Sequence, residues 1–162
     1  MRINMKIIEY EENYQEEVKE LLEELQEYMI SVDKEGYSTI TKDYKEKYFE
    51  KIIKEVNAYQ GKIFLAIDKK VVGLIIGLIN NEDISTYDYK APKLGRVTEL
   101  IVKEEYRNNK VGKQLLQKME EYFKEVGCKG ILLNVFTNNK ISKKFYEKEG
   151  YSERTSELIK QI

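Results

Sequence analysis

Apolar side chains recur at the spacing of an α-helix in the first third of the chain. Residues 3–10 are β-prone and predict a first strand. An amphipathic helix is predicted over residues 13–30, with Asn13 as its N-cap. A second helix is predicted over residues 42–56, with Thr41 as its cap and with Tyr44 and Tyr48 on its apolar face. The chain therefore begins as a strand followed by two helices.

The apolar period shortens to that of β-strands after Gly61. Residues 63–67 and 71–79 predict a hairpin, and residues 96–103 predict a further strand. The polar stretch 80–93 lies between them and is too long for a tight turn, so it is a candidate functional or mobile loop.

The last third of the chain alternates between helix and strand. A strongly periodic helix is predicted over residues 111–126 and an apolar strand over residues 130–136. Either Asn139 or Asn138 caps a short helix after it. Residues 151–162 predict a weak last strand. The resulting order is β-α-α-β-β-β-α-β-α-β.

This order predicts a mixed α/β (α+β) fold in a single domain over residues 1–162. The strands at 96–103 and 130–136 are joined by one helix, so they should pair in parallel through a right-handed crossover. No repeat, low-complexity tract or linker divides the chain.

Composition narrows the chemistry that this domain can perform. The 162 residues are 41% apolar and 35% charged, which is typical of a soluble globular domain. The chain has no histidine and one cysteine, Cys128, which excludes Ser-His-Asp and Cys-His mechanisms, an internal disulfide and cysteine-based metal sites. We expect no metal. Cys128 has no histidine to activate it and is interpreted as structural or incidental. Proton transfer must then use Glu, Asp, Lys, Tyr, the thiol or water.

Neither a membrane span nor a secretory signal is visible in the sequence. No apolar run approaches the roughly 18 residues of a transmembrane helix. Residues 1–10 lack an apolar core followed by a small-residue cleavage site. We therefore expect a cytoplasmic protein with no membrane partner.

Charge is distributed unevenly along the chain. Residues 9–27 contain nine Glu and one Lys, whereas residues 103–148 contain eleven Lys or Arg and six Glu. The basic half is suited to an anion and the acidic half to a cation. Solvated helix faces account for both runs equally well.

A polar turn between a strand and a helix carries the clearest chemical signal. It reads YRNNKVGK from Tyr106 onward and opens directly into the helix. Backbone amides at a helix N-terminus lack intrahelical partners, and the helix dipole favours an anion there. Arg107, Lys110 and Lys113 add cations. The turn predicts a phosphate or pyrophosphate site, although an ordinary basic turn capping a surface helix has the same residues.

This turn resembles the coenzyme A-binding motif of the GNAT superfamily of acyl-CoA N-acyltransferases, Arg/Gln-x-x-Gly-x-Gly/Ala after an apolar strand. Arg107, Val111 and Gly112 match that pattern. Lys110 stands at the first Gly position. If that position needs a positive φ, the lysine costs about 1 kcal/mol.

A second block resembles the same superfamily. Residues 139–151, NKISKKFYEKEGY, are similar to its Asn-x-x-Ala-x-x-Phe-Tyr-x-x-x-Gly-Phe ending, with Ser142 for Ala and Tyr151 for Phe. The two blocks occur in the family's order and cover roughly residues 96–151. The first 60 residues match the family only in their order of elements.

The resemblance implies a GNAT-like fold and a coenzyme site. The fold is a central mixed sheet of about six to seven strands flanked by about four helices, with the parallel pair 96–103 and 130–136 splayed. The pantetheine arm of acetyl-CoA would pair with the strand amides of Leu100, Ile101 and Val102, and those near Ile101 could polarise the thioester carbonyl. The pyrophosphate would lie on the turn amides of Arg107, Asn108, Asn109, Lys110, Val111 and Gly112, with Lys113 nearby.

The resemblance also implies roles for three side chains. Asn139 would cap its helix and bind the coenzyme. Tyr146 stands at the position of the family's general acid, and a phenol is protonated at neutral pH. Glu99 is the candidate general base, because an ammonium substrate must lose a proton before it attacks. Glu27 and Glu82 are weaker alternatives.

The sequence therefore predicts an acetyl-CoA-dependent N-acetyltransferase that moves an acetyl group to a primary amine by direct attack in a ternary complex. The acceptor would be a small-molecule or peptide amine, and the acidic first helix favours a cationic one. The loop residues Asp83 and Asp88 support this weakly. Candidate acceptor-lining residues, named only for their position in the chain, are Tyr28, Tyr37, Tyr87 and Tyr89.

Two other classes of protein are alternatives to this prediction. One is an acyl-CoA-binding regulatory module without turnover, which the retention of Tyr146 and Glu99 disfavours. The other is a nucleic-acid-binding module, which a pI of about 5.8 and the absence of an aromatic-basic motif disfavour, so no nucleic-acid partner is expected. By analogy with the family, a homodimer is also expected.

Overall fold

The computed structural model describes residues 5–80, 87–88 and 90–162. Its regular elements, in chain order, are β1 (Lys6–Glu9), α1 (Gln15–Val32), α2 (Tyr44–Ala58), β2 (Lys62–Asp68), β3 (Lys70–Asn80), β4 (Leu94–Val102), α3 (Val111–Glu125), β5 (Gly130–Leu132) and α4 (Lys140–Lys148). Short 3₁₀ helices precede α1 and follow β4. The predicted mixed α/β fold is confirmed.

The strands form one sheet in the order β1-β2-β3-β4-β5. β1 to β4 are antiparallel neighbours, whereas β4 and β5 run parallel, as the strand–helix–strand unit predicts. Five strands are found among the described residues, fewer than the predicted six to seven. Residues 151–162 form no strand and are exposed after Tyr151, because few apolar side chains in that segment can anchor it to the sheet.

Alternation along the central strands places apolar side chains on both faces of the sheet. In β2, Ile63, Leu65 and Ile67 pack with the apolar faces of α1 and α2, whereas Phe64 and Ala66 pack with α3. β3 alternates in the same way. Both faces of these strands are therefore buried, which explains their nearly continuous apolar sequence.

Two glycines allow α3 to lie close against the sheet. A Cβ on Gly77 would come within 2.4 Å of the Met119 sulfur, and one on Gly95 within 2.5 Å of the Phe123 ring. Both distances are too short for any side chain. This close packing fixes the position of α3, whose N-terminus borders the predicted anion site.

Two predicted helix caps are wrong and one is confirmed. Asn13 lies inside the 3₁₀ helix, so its backbone is not in the extended conformation that an N-cap needs, and α1 begins at Gln15 without a side-chain cap. At α2, Thr41 contributes its carbonyl oxygen to the Tyr44 N–H at 3.0 Å rather than a side-chain cap. Asn139 does cap α4 through its side chain.

Candidate active site

The parallel strands β4 and β5 separate after a short paired stretch. Leu94, Gly95 and Arg96 pair with Gly130 and the two residues after it, and there the pairing stops. β4 continues to residue 102, whereas residues 133–136, which were predicted to extend the second strand, are not in a strand. An open cleft lies between β4 and the segment 133–136, at the predicted splay of the two strands. Its lining is Arg96, Val97, Thr98 and Asn134.

A β-bulge in β4 lies beside this cleft. In the pairing with β3, Ile76 faces Glu99 but the next residue, Gly77, faces Val97, so Thr98 is the extra residue. A bulge bends its strand and increases the local twist. Glu99 directly follows it, and the bulge therefore helps to direct the Glu99 side chain and to separate the strands.

The pairing of β4 with β3 decides which amides face the cleft. The Lys103 N–H donates to the Val72 carbonyl at 2.9 Å, and the backbone groups of an antiparallel strand alternate in direction. Ile101 therefore points its N–H at β3, while Leu100 and Val102 point theirs at the open edge. The Arg107 Nε–H donates to the Val102 carbonyl at 2.9 Å, which confirms that Val102 faces outward. Of the three predicted ligand amides, that of Ile101 is used by the sheet.

The turn before α3 contains two residues in the left-handed region. Asn108 has φ +62° and Lys110 has φ +63°. Lys110 is the N-cap residue of α3 and has no side-chain cap bond. The position where the family motif has Gly thus requires a positive φ, and the lysine there carries a strain of about 1 kcal/mol.

Two of the three cations near this turn already contact carboxylates. Arg107 Nη2 lies 3.9 Å from Glu24 of α1. Lys113 Nζ lies 3.0 and 3.2 Å from the two carboxylate oxygens of Glu149. Lys110 is exposed. An anion in this turn would compete with Glu24 and Glu149 for the cations.

Glu99 lies on β4, before the turn that carries these cations. Its side chain is largely buried, and Oε1 accepts a hydrogen bond from the Tyr48 hydroxyl of α2 at 2.5 Å. Burial raises the pKa of Glu99 to about 7, against the lowering effects of the Tyr48 hydrogen bond and of the Lys51 charge. Such a pKa suits a group that must take and release a proton near neutral pH.

Two aromatic rings of α2 accompany Glu99. Tyr44 stacks on Tyr48, with ring centroids 4.9 Å apart and planes 15° from parallel. Burial and, secondarily, the negative charge of Glu99 raise the pKa of both phenols. Both are therefore neutral hydrogen-bond donors at any working pH. Their spacing in the sequence predicts only that both lie on the apolar face of the second helix. Nothing in that spacing indicates that Tyr48 contacts Glu99, which lies 51 positions away.

The charge of Glu99 also acts on Tyr146 of α4. Its ring packs edge-on against Phe145 and Tyr151, with centroids 5.1 and 5.6 Å away. Burial and then the Glu99 charge raise the pKa of Tyr146 to about 12. Since the Glu99 charge acts on Tyr146, the structure brings the two predicted catalytic residues into one site.

Asn139 is buried at the start of α4, with 5% of its surface exposed. Its Oδ1 accepts the Ser142 N–H at 3.1 Å and the Tyr28 hydroxyl at 2.9 Å. With Oδ1 used twice, the group that Asn139 can offer a ligand is its Nδ2 donor. Asn139, not Asn138, is the cap, and Tyr28 is the predicted aromatic residue that reaches the site.

The other acceptor-side candidates are exposed or lie outside the described residues. Glu27, Tyr37 and Tyr87 are exposed. Glu82, Asp83 and Tyr89 lie outside the described residues. Burial raises the pKa of the Cys128 thiol, which fits its interpretation as structural.

Neither a metal-binding cluster nor a membrane-spanning helix is found in the part of the chain that the structure describes. No three His, Cys, Asp or Glu side chains there are grouped so that they could hold a metal ion. The helices found there are all too short or too polar to cross a bilayer.

Comparison with known proteins connects this geometry to a family. A family model described as "Acetyltransferase (GNAT) family" matches residues 17–151. Glucosamine 6-phosphate N-acetyltransferase of Arabidopsis thaliana is 22% identical over 126 residues, which is 77% of this chain and 83% of that protein. A GNAT-family acetyltransferase structure from Staphylococcus aureus Mu50 has a TM-score of 0.72 at 26% identity, over 93% of this chain and 86% of that one. The aminoglycoside N-acetyltransferase AAC(6′)-Iy, bound to a CoA bisubstrate analogue, has the same fold, with a TM-score of 0.74 at 16% identity over 98% of each chain.

Proposed function

The chain belongs to the acetyltransferase (GNAT) family, and we propose that it transfers an acetyl group from acetyl-CoA to a primary amine by direct attack in a ternary complex. Acyl-CoA-dependent N-acetyl transfer is the chemistry that the family and the named relatives share. The acceptor and the mechanism are our proposal. The observation that carries it is the placement of a carboxyl with a pKa of about 7, Glu99, and a neutral phenol, Tyr146, in one site beside the splayed strands.

The coenzyme would be held mainly by backbone groups. The outward amides of Leu100 and Val102 would pair with the pantetheine arm and lie near the thioester carbonyl, where they can stabilise an oxyanion. The amides of residues 107–112 would receive the pyrophosphate at the N-terminus of α3. Asn139 would donate from Nδ2 to a coenzyme oxygen.

Glu99 would act as the general base. It takes a proton from the ammonium form of the acceptor, and the neutral nitrogen then attacks the thioester carbon. A C–N bond forms, and a second nitrogen proton leaves to solvent as the C–S bond breaks. Tyr146 would protonate the departing thiolate and regain its proton from Glu99 through solvent, so that both groups are restored and one proton in all is released for each amide formed.

Tyr146 would assist the departing thiolate. A phenol with a pKa of about 12 is fully protonated and can donate a hydrogen bond to sulfur as the C–S bond breaks. The Glu99 charge contributes to that high pKa. Once Glu99 has taken the proton of the amine, this charge is gone and Tyr146 becomes the stronger acid, so base and acid would act in the productive order.

The acceptor is proposed to be a small-molecule amine that arrives as a cation. Named relatives act on such amines, one on glucosamine 6-phosphate and one on aminoglycosides. On this chain, the Glu99 carboxylate lies beside the phenol rings of Tyr44 and Tyr48, and aromatic faces favour cations. The acidic α1 borders the site through Tyr28.

The test is calorimetric titration of the protein with acetyl-CoA, desulfo-CoA and ATP, followed by thiol release with a panel of primary amines. We expect micromolar binding of acetyl-CoA, much weaker binding of ATP, and thiol release with at least one cationic amine. Coenzyme binding without turnover on any amine would favour the regulatory module instead. No coenzyme binding would contradict both proposals.

A further inference from the structure

Tyr48 contacts the proposed base from a helix that carries no family motif. It lies on α2, and its hydroxyl donates to Glu99 Oε1 at 2.5 Å across 51 positions of the chain. Among the described residues, the neighbouring phenol, Tyr44, makes no such hydrogen bond to Glu99. The contact connects the acceptor side of the molecule to the strand that holds the coenzyme.

We propose that Tyr48 is a positioning residue that holds the Glu99 carboxylate in one orientation, with Oε2 directed to take the proton of the acceptor amine. This inference rests on the proposed role of Glu99 as the general base. It assigns to the α2 phenol a function that neither the sequence motifs nor the fold indicates.

The Tyr48 ring is itself held in place. Tyr44 stacks on it, and Lys51 Nζ lies 5.4 Å from its centroid. Lys51 is in turn 3.7 Å from the Glu55 carboxylate, one turn further along α2. A ring supported in this way has little freedom to rotate, so its hydroxyl defines a fixed point for Glu99.

The hydrogen bond leaves the two carboxylate oxygens unequal. Oε1 accepts the Tyr48 hydroxyl, so Oε2 is the oxygen that can face an incoming ammonium. A carboxylate held by one oxygen loses rotational freedom before the substrate arrives, which favours proton transfer along one direction.

A phenol suits this role better than a cation. Burial and the Glu99 charge raise the pKa of Tyr48, so it remains a neutral donor. A lysine at this position would pair with Glu99 as a full charge and lower its basicity. The other groups that act on Glu99 are Lys51 and Glu55 of α2, and Glu99 in turn acts on Tyr44 and Tyr146.

The decisive variant is Tyr48→Phe, with Tyr44→Phe as the matched control. Loss of the hydroxyl removes a hydrogen bond to the charged form of Glu99. The acid limb of kcat/KM should then move upward by about one pH unit. The KM for acetyl-CoA should stay within about twofold, because Tyr48 does not touch the coenzyme amides. Tyr44→Phe should leave the acid limb in place.

A second readout does not depend on finding the acceptor. The Glu99 side-chain carboxyl is followed by ¹³C NMR through a pH titration of the free protein and assigned by its loss in Glu99→Gln. We expect a midpoint near pH 7 in the unaltered protein, a higher midpoint in Tyr48→Phe and an unchanged one in Tyr44→Phe.

The outcomes separate this inference from the proposed function. An unchanged Glu99 midpoint in a Tyr48→Phe protein that keeps its circular dichroism spectrum would overturn the inference, whatever the enzyme does. Equal shifts in both variants would also overturn it, because they would show general repacking of α2. Absence of turnover with every amine would instead contradict the proposed function, while the NMR titration would still decide the contact between Tyr48 and Glu99.

Discussion

The two ends of the proposed site are formed by different kinds of chemical group. The proposed coenzyme end consists of backbone amides and cations from one continuous stretch, residues 100–113. The proposed acceptor end consists of partly buried side chains from separate elements, with Tyr48 from α2, Glu99 from β4 and Tyr146 from α4. Backbone amides do not titrate, whereas the Glu99 carboxyl titrates near neutral pH and the phenols remain neutral donors.

This difference separates binding from acid–base chemistry. Substitutions at the coenzyme end should change affinity and leave the pH dependence unaltered. Substitutions at the acceptor end should change the rate and its pH dependence and leave coenzyme affinity nearly constant. The predictions below test that separation, in order of expected effect.

The largest effect is expected from Glu99→Gln. Loss of the base should lower kcat by about 10² to 10⁴-fold, the usual contribution of a general base. Coenzyme affinity, measured by calorimetry, should stay within about twofold. A large loss of coenzyme binding would show that the two ends are not separable.

The same substitution should stabilise the protein at high pH. The folded-state pKa of Glu99 is about 7 against 4.5 for a free side chain, so the folded state binds the proton more tightly. The unfolded carboxyl ionises first as the pH rises. Stability is therefore lost between pH 4.5 and 7, by about 3 kcal/mol. Urea denaturation should show Glu99→Gln more stable by that amount at pH 8 and by little at pH 4.

Tyr146→Phe should have the next largest effect. Without a donor to the leaving sulfur, kcat should fall by about 10²-fold. The ring still packs against Phe145 and Tyr151, so the melting temperature should change little. Steady-state thiol release measures the rate, and a KM for acetyl-CoA that rose as much as kcat fell would assign Tyr146 to binding instead.

Arg107→Ala tests the coenzyme end. Arg107 supports the outward-facing Val102 carbonyl and brings a positive charge to the turn. Its loss should weaken acetyl-CoA binding by about tenfold, as expected for one charged hydrogen bond. The acid limb of the rate should not move. A shifted limb would contradict the separation of the two ends.

The smallest effect is expected from Lys110→Gly. Glycine adopts a φ of +63° without strain, so the free energy of unfolding should rise by about 1 kcal/mol. Lys110→Ala, which removes the charge but keeps the strain, is the matched control. Thermal denaturation distinguishes them, since only the glycine variant should gain stability.

The same two ends differ in how far the sequence predicts them. The turn with Arg107 and Gly112 was predicted because its residues are adjacent and carry a motif. Even there, the sequence did not show that Ile101 points its amide at β3, because direction depends on strand pairing. Nor did it show that Lys113 pairs with Glu149, 36 positions later.

At the proposed acceptor end, the sequence supplied the two candidate catalytic residues but not the contacts that hold them. Glu99 and Tyr146 were named from resemblance, while Tyr48 was assigned only to a helix face. Its hydrogen bond forms because the sheet and α2 pack together, and no local pattern encodes such a contact. The caps at Asn13 and Thr41 were wrong because local sequence allows them, whereas in the fold Asn13 lies inside a 3₁₀ helix and α2 begins only at Tyr44.

The central claim is that Glu99 controls the acid–base step independently of coenzyme binding. The most direct test is the pH dependence of thiol release at saturating acetyl-CoA, from pH 5.5 to 9, for the unaltered protein and Glu99→Gln. We expect the unaltered rate to fall tenfold per pH unit below about pH 7 and the variant to be slow and without that limb. A Glu99→Gln protein that kept both the rate and the limb would contradict the claim.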